Sequence, residues 1–428
     1  MSWALFLIVA IGLLLALLFA GVRIFAGFLA LNLVGVLLLI GPRGFGLFTN
    51  SIFETATSPS LMTVALFILM GEVLFRSGTV DVLFNSVDRL VGRLKGRLYV
   101  VTILLSTVFG ALSGSAVAVA AMLGRSVLPL MEARGYDRQL SAGTILAGAS
   151  LAPIIPPSLM AIVVGSLADV SIAGLLVAGI LPGLVFAALT LGYVALATRG
   201  EAPPEATAPK GSALKALLGM TPFLLVIFMV MGLIMLGIAT PSESAATGVI
   251  GAALVAALFG RLNFAMLREA VSSAVLTSGV ILIIICSAKL FSQLLSLAGA
   301  TRGMVELIGH LGLGPDLTFL VMMAIPFVLC MFIDQIAFML LAIPIYQPIV
   351  AAMHYDPIWF WTLFLINLTV GSLTPPFGYT LFALKGASPG LTTAQVFRAA
   401  WPVVAIFLAG MALLWAMPGI VTTIPRML

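Results

Sequence analysis

Apolar runs of about 20 residues, the length of helix that crosses a bilayer, recur from one end of this chain to the other with almost no charge inside them. A helix satisfies its own backbone hydrogen bonds in lipid, whereas an open strand does not. The chain is therefore expected to be an all-α polytopic membrane protein. Only 8% of its 428 residues are charged and 62% are apolar, against roughly 25% charged in a soluble domain. No soluble domain fits, because the longest polar stretch runs only from Thr198 to Lys215.

Candidate spans are residues 4–20, 24–41, 60–76, 176–197, 217–239, 243–260, 273–297 and 400–418. Met1-Ser2-Trp3 carries no basic residue, so the first run reads as a retained helix and not a cleaved signal. Cys286 and Cys330 lie in apolar runs and read as small hydrophobes, with no disulfide or metal site expected. The net charge of +5 does not point to nucleic acid, since the basic residues sit in short loops.

Residues 98–170 and 317–390 depart from this pattern. Gly110-Ala-Leu-Ser-Gly-Ser115 and Ala152-Pro-Ile-Ile-Pro-Pro-Ser158 interrupt the first region; Asp334-Gln335 and Gly371-Ser-Leu-Thr-Pro-Pro-Phe-Gly378 interrupt the second. Unwound backbone survives at membrane depth only where it is buried in protein or lines a wet cavity. Each region is therefore expected to form a re-entrant hairpin followed by a broken helix. Simple proline kinks would explain one Pro better than two Pro-Pro pairs, each set among Ser or Thr. Ahead of the first hairpin, Leu83, Val87, Leu90, Val91 and Leu94 share one helical face, with Asp81, Asp88, Arg89 and Arg93 largely elsewhere. This stretch is expected to lie along the membrane interface. Thr301 to Leu311 is a weaker counterpart ahead of the second hairpin.

Tyr136-Asp137 recurs as Tyr355-Asp356 and Pro156-Pro157 as Pro375-Pro376, both at an offset of 219, while Pro182 matches Pro402 at 220. The chain reads as a tandem duplication: residues 1–197 as one repeat, 198–216 as a cytoplasmic linker and 217–428 as the second. Three spans, a hairpin that does not cross, a broken span and a final helix give five crossings per repeat. An odd number inverts the second copy, the arrangement found in secondary transporters. With the N-terminus outside, 15 of the 20 Lys and Arg fall on the cytoplasmic side and only Arg43, Arg302 and Arg426 outside, as the positive-inside rule requires. Trp359, Trp361 and Trp401 fall near predicted helix ends, where indoles favour the interface.

A broken helix offers carbonyls at one half-helix end and N–H groups at the other. Carbonyls with Ser or Thr hydroxyls suit a small hard cation such as Na⁺, and half-helix N-termini suit an anion. The first cation cage would use Gly110, Ser113 and Gly114 facing Ala152, Ile155 and Ser158; the second would use Cys330, Asp334, Gly371, Thr374 and Phe377. Between them an anionic substrate would meet Ser115, Pro156, Pro157, Pro375, Pro376 and Thr380, with Arg125 as a candidate counter-charge. Asp334 reads equally as a cation ligand or a helix N-cap. Ser115 and Ser158 singly read better as groups bonded to their own helices. Lys289 and Glu72 are expected to snorkel, and Glu243 to cap a helix. No spaced metal ligands, nucleophile elbow or phosphate-binding loop occurs, so neither catalysis nor ATP hydrolysis by this chain is expected.

These segments resemble the large (DctM-type) membrane subunit of TRAP (tripartite ATP-independent periplasmic) transporters. The resemblance is carried by Gly110 to Ala118, Gly135-Tyr-Asp137, Pro153 to Ser158, Val170 to Gly174 with Ala178 to Gly183, Gly237 to Ala246, Phe332-Ile-Asp334 and Thr374 to Gly378 with Leu381-Phe382, and extends over essentially the whole chain. It implies an elevator-type, Na⁺-driven importer of organic anions, usually carboxylates, in a bacterial inner membrane. It also implies two partners, a small four-helix membrane subunit and a periplasmic substrate-binding protein, with no cofactor beyond the coupling ion. Three positions depart from the family pattern: Val119 where many relatives carry an acid, Cys330 in place of a common Gly, and Gln335 in place of a frequent Pro. A stand-alone carrier with related inverted repeats is the alternative within transport, and a channel the alternative outside it.

Overall fold

The computed structural model describes residues 3–78, 80–91, 96–199 and 213–428. Arg93, Leu94, Lys95, Lys210 and most of the 198–216 linker lie outside the described residues, as do the side chains of Asp81 and Lys215. The described chain is helical throughout: α1 (Trp3–Phe19), α2 (Ile24–Leu39), α3 (Phe45–Ala56), α4 (Pro59–Arg76), α5 (Val80–Val91), α6 (Arg97–Ser113), α7 (Ala116–Ser126), α8 (Leu128–Ala133), α9 (Arg138–Leu151), α10 (Leu159–Leu167), α11 (Ile172–Ala178) and α12 (Ile180–Ala197). After the linker come α13 (Ala213–Met235), α14 (Pro241–Leu258), α15 (Phe264–Leu297), α16 (Ala300–Leu311), α17 (Pro315–Leu329), α18 (Gln335–Ala352), α19 (Pro357–Leu373), α20 (Tyr379–Ala387) and α21 (Thr393–Ala416). Among the described residues seven helices are long and apolar enough to cross a membrane, or eight if the bent α3–α4 pair is one span.

Helix boundaries recur along the chain at 219 or 220 residues: α5 begins at 80 and α16 at 300, α7 at 116 and α18 at 335, α9 at 138 and α19 at 357. Local chemistry recurs with them. Asp137 caps α9 by accepting from Leu140 N at 2.6 Å, and Asp356 caps α19 by accepting from Trp359 N at 3.1 Å. The tyrosine before each Asp ties its turn to the start of the preceding helix pair: Tyr136 Oη accepts from Leu98 N at 3.4 Å, and Tyr355 Oη donates to Pro315 O.

The same offset explains a helix that the apolar runs alone do not announce. The α3 segment carries Thr49, Asn50, Ser51 and Glu54 and falls between two spans. Shifted by 219 residues, α3 and α4 together cover α15, which is 34 residues long and unbroken. Pro59 has no amide hydrogen for Thr55 O and Ser58 before it is extended at ψ 129°, so α3 and α4 meet at a 48° bend where α15 runs unbroken through Ser278 and Gly279. The expected spans otherwise shift by a few residues, save that α15 starts nine residues before 273, α21 seven residues before 400, and the 176–197 run divides into α11 and α12 at Gly179. Gly179 sits where a Cβ would come within 2.1 Å of Ile154 O.

In the centre, hairpin arms and broken helices interlock across the two halves. The returning arm α7 packs on α20, and its counterpart α18 packs on α10. One hydrogen bond fastens each contact: Ser388 Oγ donates to Gly124 O at 2.8 Å, and Gln347 Nε2 to Ala168 O at 3.1 Å. Around this block α4 packs against α14 and α15, and α13 against α14 and α5.

The structure bears on four local expectations. The apolar face of α5 meets α6 and α13: Leu83 and Val87 are fully buried, while Leu90 is exposed. Asp88, expected on the polar face, is buried in an ion pair with Arg97. Trp359 and Trp361 are buried because α19 is enclosed on every side, and Trp359 Nε1 donates to Leu414 O at 3.2 Å; Trp401 is exposed. Glu72 and Lys289 each have a partner. Glu72 accepts from Arg76 at 2.7 Å and from Ser273 at 2.8 Å, and Lys289 Nζ lies 3.8 Å from Asp169. Glu243 closes a capping box with Thr240, and both cysteines are free and buried.

Candidate functional site

At the first break, α6 ends at Gly114, whose φ of +62° is a left-handed conformation that favours glycine. Ser115 then caps α7, accepting from Ala118 N at 3.3 Å. The hairpin tip lies directly on the break between α9 and α10. A Cβ on Gly110 would stand 2.7 Å from Ala152 Cα, and one on Gly114 would stand 3.0 Å from Leu159 N. Ser158 caps α10 through Ala161 N at 3.2 Å and donates to Pro153 O at 2.5 Å. Ser113, Gly114 and Pro157 line a cavity of about 10 Å³, room for about one water-sized particle, with Phe67 and Met70 of α4 on its other side. Ile155 turns its side chain onto Gly183 in α12, so only its backbone is left for the break.

The second break is built the same way with the small residue on the opposite partner. A Cβ on Gly371 would stand 2.6 Å from Cys330 Cβ and 3.0 Å from Phe327 O. Gly110 and Ala152 at one tip thus correspond to Cys330 and Gly371 at the other. Asp334 caps α18, its Oδ1 accepting from Ile336 N at 3.0 Å and Ala337 N at 3.3 Å. The next residue, Gln335, is buried and staples the hairpin to the broken helix, donating to Leu368 O at 3.0 Å and Ser372 Oγ at 2.7 Å. Thr374 Oγ1 donates to Val370 O at 2.7 Å. Phe377 is exposed, its ring 5.7 Å from that of Phe332.

The Pro-Pro pairs have one chemical consequence in both places. In a continuous helix the amides of residues 156 and 157 would donate to the carbonyls of Ala152 and Pro153, and those of 375 and 376 to Gly371 and Ser372. Proline has no amide hydrogen to give. Two carbonyls per break lose their ordinary donors; Ser158 takes up Pro153 O, and Thr374 N donates to Gly371 O at 3.1 Å. Near the second break the Thr380 hydroxyl is buried with no hydrogen-bond partner among the described residues. The donors at both breaks are carbonyls and hydroxyls, with one carboxylate, Asp334. That set suits a hard monovalent cation held as cargo. Among the described residues no three His, Cys, Asp or Glu side chains gather as a metal group.

Both proposed sets of residues are therefore brought together at their tips. Pro156 and Pro157 are buried, Pro375 is half-buried and Pro376 exposed. Arg125 is not with them: it lies at the end of α7 remote from the tip, beside Gly124, which abuts Leu384 and Ser388 at the end of α20. Gln335 and Ser372 are the residues that motif reading undervalued. Their signal was the density of hydroxyls in Thr369 to Thr374 opposite a polar residue at a helix start.

Residues 8–420 match the family model described as "Tripartite ATP-independent periplasmic transporter, DctM component". Over 410 residues, 93% of this chain and 94% of the relative, the chain is 29% identical to the C4-dicarboxylate TRAP transporter large permease protein DctM of Pseudomonas aeruginosa. It is 30% identical to the 2,3-diketo-L-gulonate TRAP transporter large permease protein YiaN of Escherichia coli, covering 79% of this chain and 80% of that one. With the sialic acid TRAP transporter large permease protein SiaM of Vibrio cholerae the identity is 28%, over 87% of each chain. The crystal structure of the Alcanivorax borkumensis YdaH transporter superposes with a TM-score of 0.64 at 14% identity, covering 89% of this chain and 90% of that one, a likeness of fold alone. A family match over nearly the full length, on a multi-pass helical frame, makes this chain a member of the DctM-component family, the large permease of tripartite ATP-independent periplasmic transporters.

Proposed function

We propose that this permease couples Na⁺ entry to import of a small organic anion, probed most simply as a carboxylate, by an elevator movement of the interlocked hairpin block. Residues 1–197 and 217–428 act as inverted repeats joined by the 198–216 linker, with the N-terminus periplasmic in a bacterial inner membrane. The substrate arrives on a periplasmic binding protein, and a small four-helix membrane subunit completes the assembly. One Na⁺ is held where Gly110, Ser113 and Gly114 meet Ala152 to Ser158, and a second where Cys330 and Asp334 meet Gly371 to Phe377. The anion lies between them, near Ser115, Pro156, Pro157, Pro375, Pro376 and Thr380.

One observation carries this reading: the two tip-to-break contacts, Gly110 on Ala152 and Cys330 on Gly371, occupy equivalent positions in the two halves. Paired discontinuous helices that free backbone oxygens are how secondary transporters hold coupling ions. The charge distribution supports the orientation, and the substrates named for relatives, C4-dicarboxylate, 2,3-diketo-L-gulonate and sialic acid among them, support a carboxylate substrate. The test is uptake into vesicles holding the purified permease and small subunit. Accumulation is expected only with an inward Na⁺ gradient and loaded binding protein. Uptake that survives collapse of the gradient overturns the coupling, and uptake without binding protein favours the stand-alone carrier.

A further inference from the structure

The second hairpin tip faces a cavity of about 600 Å³ whose other walls are the turn between α1 and α2 and the middle of α15. Ligand sites are typically about 300–1,000 Å³, so the space is ample for a small solute. Its charged lining groups are Asp334 on the hairpin and Arg23 on the turn; Phe25, Phe332 and Val280 supply apolar surface. The two charges are not equivalent. Asp334 Oδ1 accepts two amides at the start of α18, where the helix dipole also favours negative charge, and its charge is the one assigned above to the second Na⁺. Arg23 is exposed and forms no ion pair or side-chain hydrogen bond among the described residues. Its backbone carbonyl starts α2, which fixes the residue at the rim.

An unpaired guanidinium beside aromatic rings, over a cavity whose single lining carboxylate is held by two amides and faces Na⁺ in the proposed reading, attracts anions and offers a planar fork to a carboxylate. We infer that Arg23 gives the cavity beneath the second hairpin its preference for anions and is the residue an anionic solute meets at that mouth. Arg23 thereby takes the role that sequence reading offered to Arg125. In the proposed orientation the mouth faces the cytoplasm, so this is the exit side. The meaning of the inference rests on the anion-import reading, but its test needs no transport.

The thiol of Val280→Cys, on the α15 wall, is labelled in the full-length protein with two methanethiosulfonates of similar size, one carrying a sulfonate and one a trimethylammonium. Parent protein with Val280 intact supplies the background from Cys286 and Cys330. Rates are divided by those of the same reagents with a free thiol. A unit charge within a few ångströms acts oppositely on the two reagents, so Arg23→Gln is expected to lower the anionic-to-cationic rate ratio about tenfold. Arg23→Lys, which keeps the charge, is expected to hold the ratio within about threefold of the parent. An unchanged ratio in Arg23→Gln, or a thiol that reacts with neither reagent, overturns the inference. Failure of Na⁺-dependent uptake with these ratios intact counts against the transport reading and not against Arg23.

Discussion

Gly371→Ala places a methyl group 2.6 Å from Cys330 Cβ and 3.0 and 3.2 Å from the carbonyl oxygens of Phe327 and Pro326. Carbon contacts are most favourable at about 3.5–4.0 Å, so all three distances are repulsive. Overpacking a buried site costs about 1–3 kcal/mol. The upper half of that range is expected, because two of the three atoms are backbone of α17 and move only with the helix. Cys330→Gly alone removes a buried side chain and is expected to destabilise by about 1 kcal/mol. In the Gly371→Ala background the same change removes the nearest clash and recreates the pairing of Gly110 with Ala152. There it is expected to stabilise, recovering about 1 kcal/mol, with the two carbonyl contacts left as the residue. Thermal unfolding of the four purified proteins in one detergent reads the cycle. The diagnostic result is the reversal of sign for Cys330→Gly between the two backgrounds. Additivity within about 0.3–0.5 kcal/mol would refute the idea that each hairpin tip is sized as a pair with its break.

Asp334→Ala removes the cap of α18 and is expected to lower stability by about 0.5–2 kcal/mol, whereas Asp334→Asn keeps the cap; a rightward Na⁺ titration of uptake in the Asn variant identifies the carboxylate as a ligand, and an unchanged one leaves it a cap alone. Thr374→Ala is expected to weaken Na⁺ dependence as well, read in the same titration. Asp88→Ala leaves the guanidinium of Arg97 buried without its partner and is expected to destabilise by about 3–5 kcal/mol, a loss that a melting curve detects and that a paired change to apolar residues relieves. Lys289→Met removes an ion pair whose acid, Asp169, is 72% exposed, so its effect on the melting temperature should correspond to less than about 1 kcal/mol; bridging cysteines at 169 and 289 with a bifunctional thiol reagent should nevertheless arrest uptake if α15 and the hairpin block slide past each other.

The helical class, most spans and all four breaks were legible because each follows from a local rule: apolar run length, or glycine and proline set among hydroxyls. What stayed hidden depends on which surface a helix finally meets. The periodicity of α5 picks out Leu83 and Val87 as one apolar face, yet it cannot say that α6 and α13 cover that face, nor that Arg97 reaches in to pair with Asp88. Trp359 and Trp361 sit near a helix end, where the indole rule applies to a peripheral helix; α19 is central, so the rule selects the wrong surroundings. The α3 helix was hidden by polar residues that a hydropathy window averages away, although its long counterpart, α15, was in plain view one repeat later. Arg23 read as an ordinary loop cation because the cavity it borders is assembled from segments more than 250 residues apart.

Cys330 and Gln335 were departures from a family pattern when considered singly, and each loses that character beside its contact. Close approach of two backbones requires only that one partner be small, so a cysteine at 330 is admissible because residue 371 is glycine; the first half meets the same requirement with glycine at 110 and alanine at 152. A proline after Asp334 would restrict the start of α18 through its fixed φ. Glutamine lacks that restriction but places an amide where Leu368 O and Ser372 Oγ accept from it, holding the hairpin against the broken helix by hydrogen bonds instead of by backbone stiffness. The second tip is thus anchored through side-chain hydrogen bonds, and the first, among the described residues, through packing. If the block closes on ions at both tips, the second is the stiffer, and Gln335→Leu, which keeps volume but removes both bonds, should loosen Na⁺ dependence at that tip while Asp334 still caps its helix.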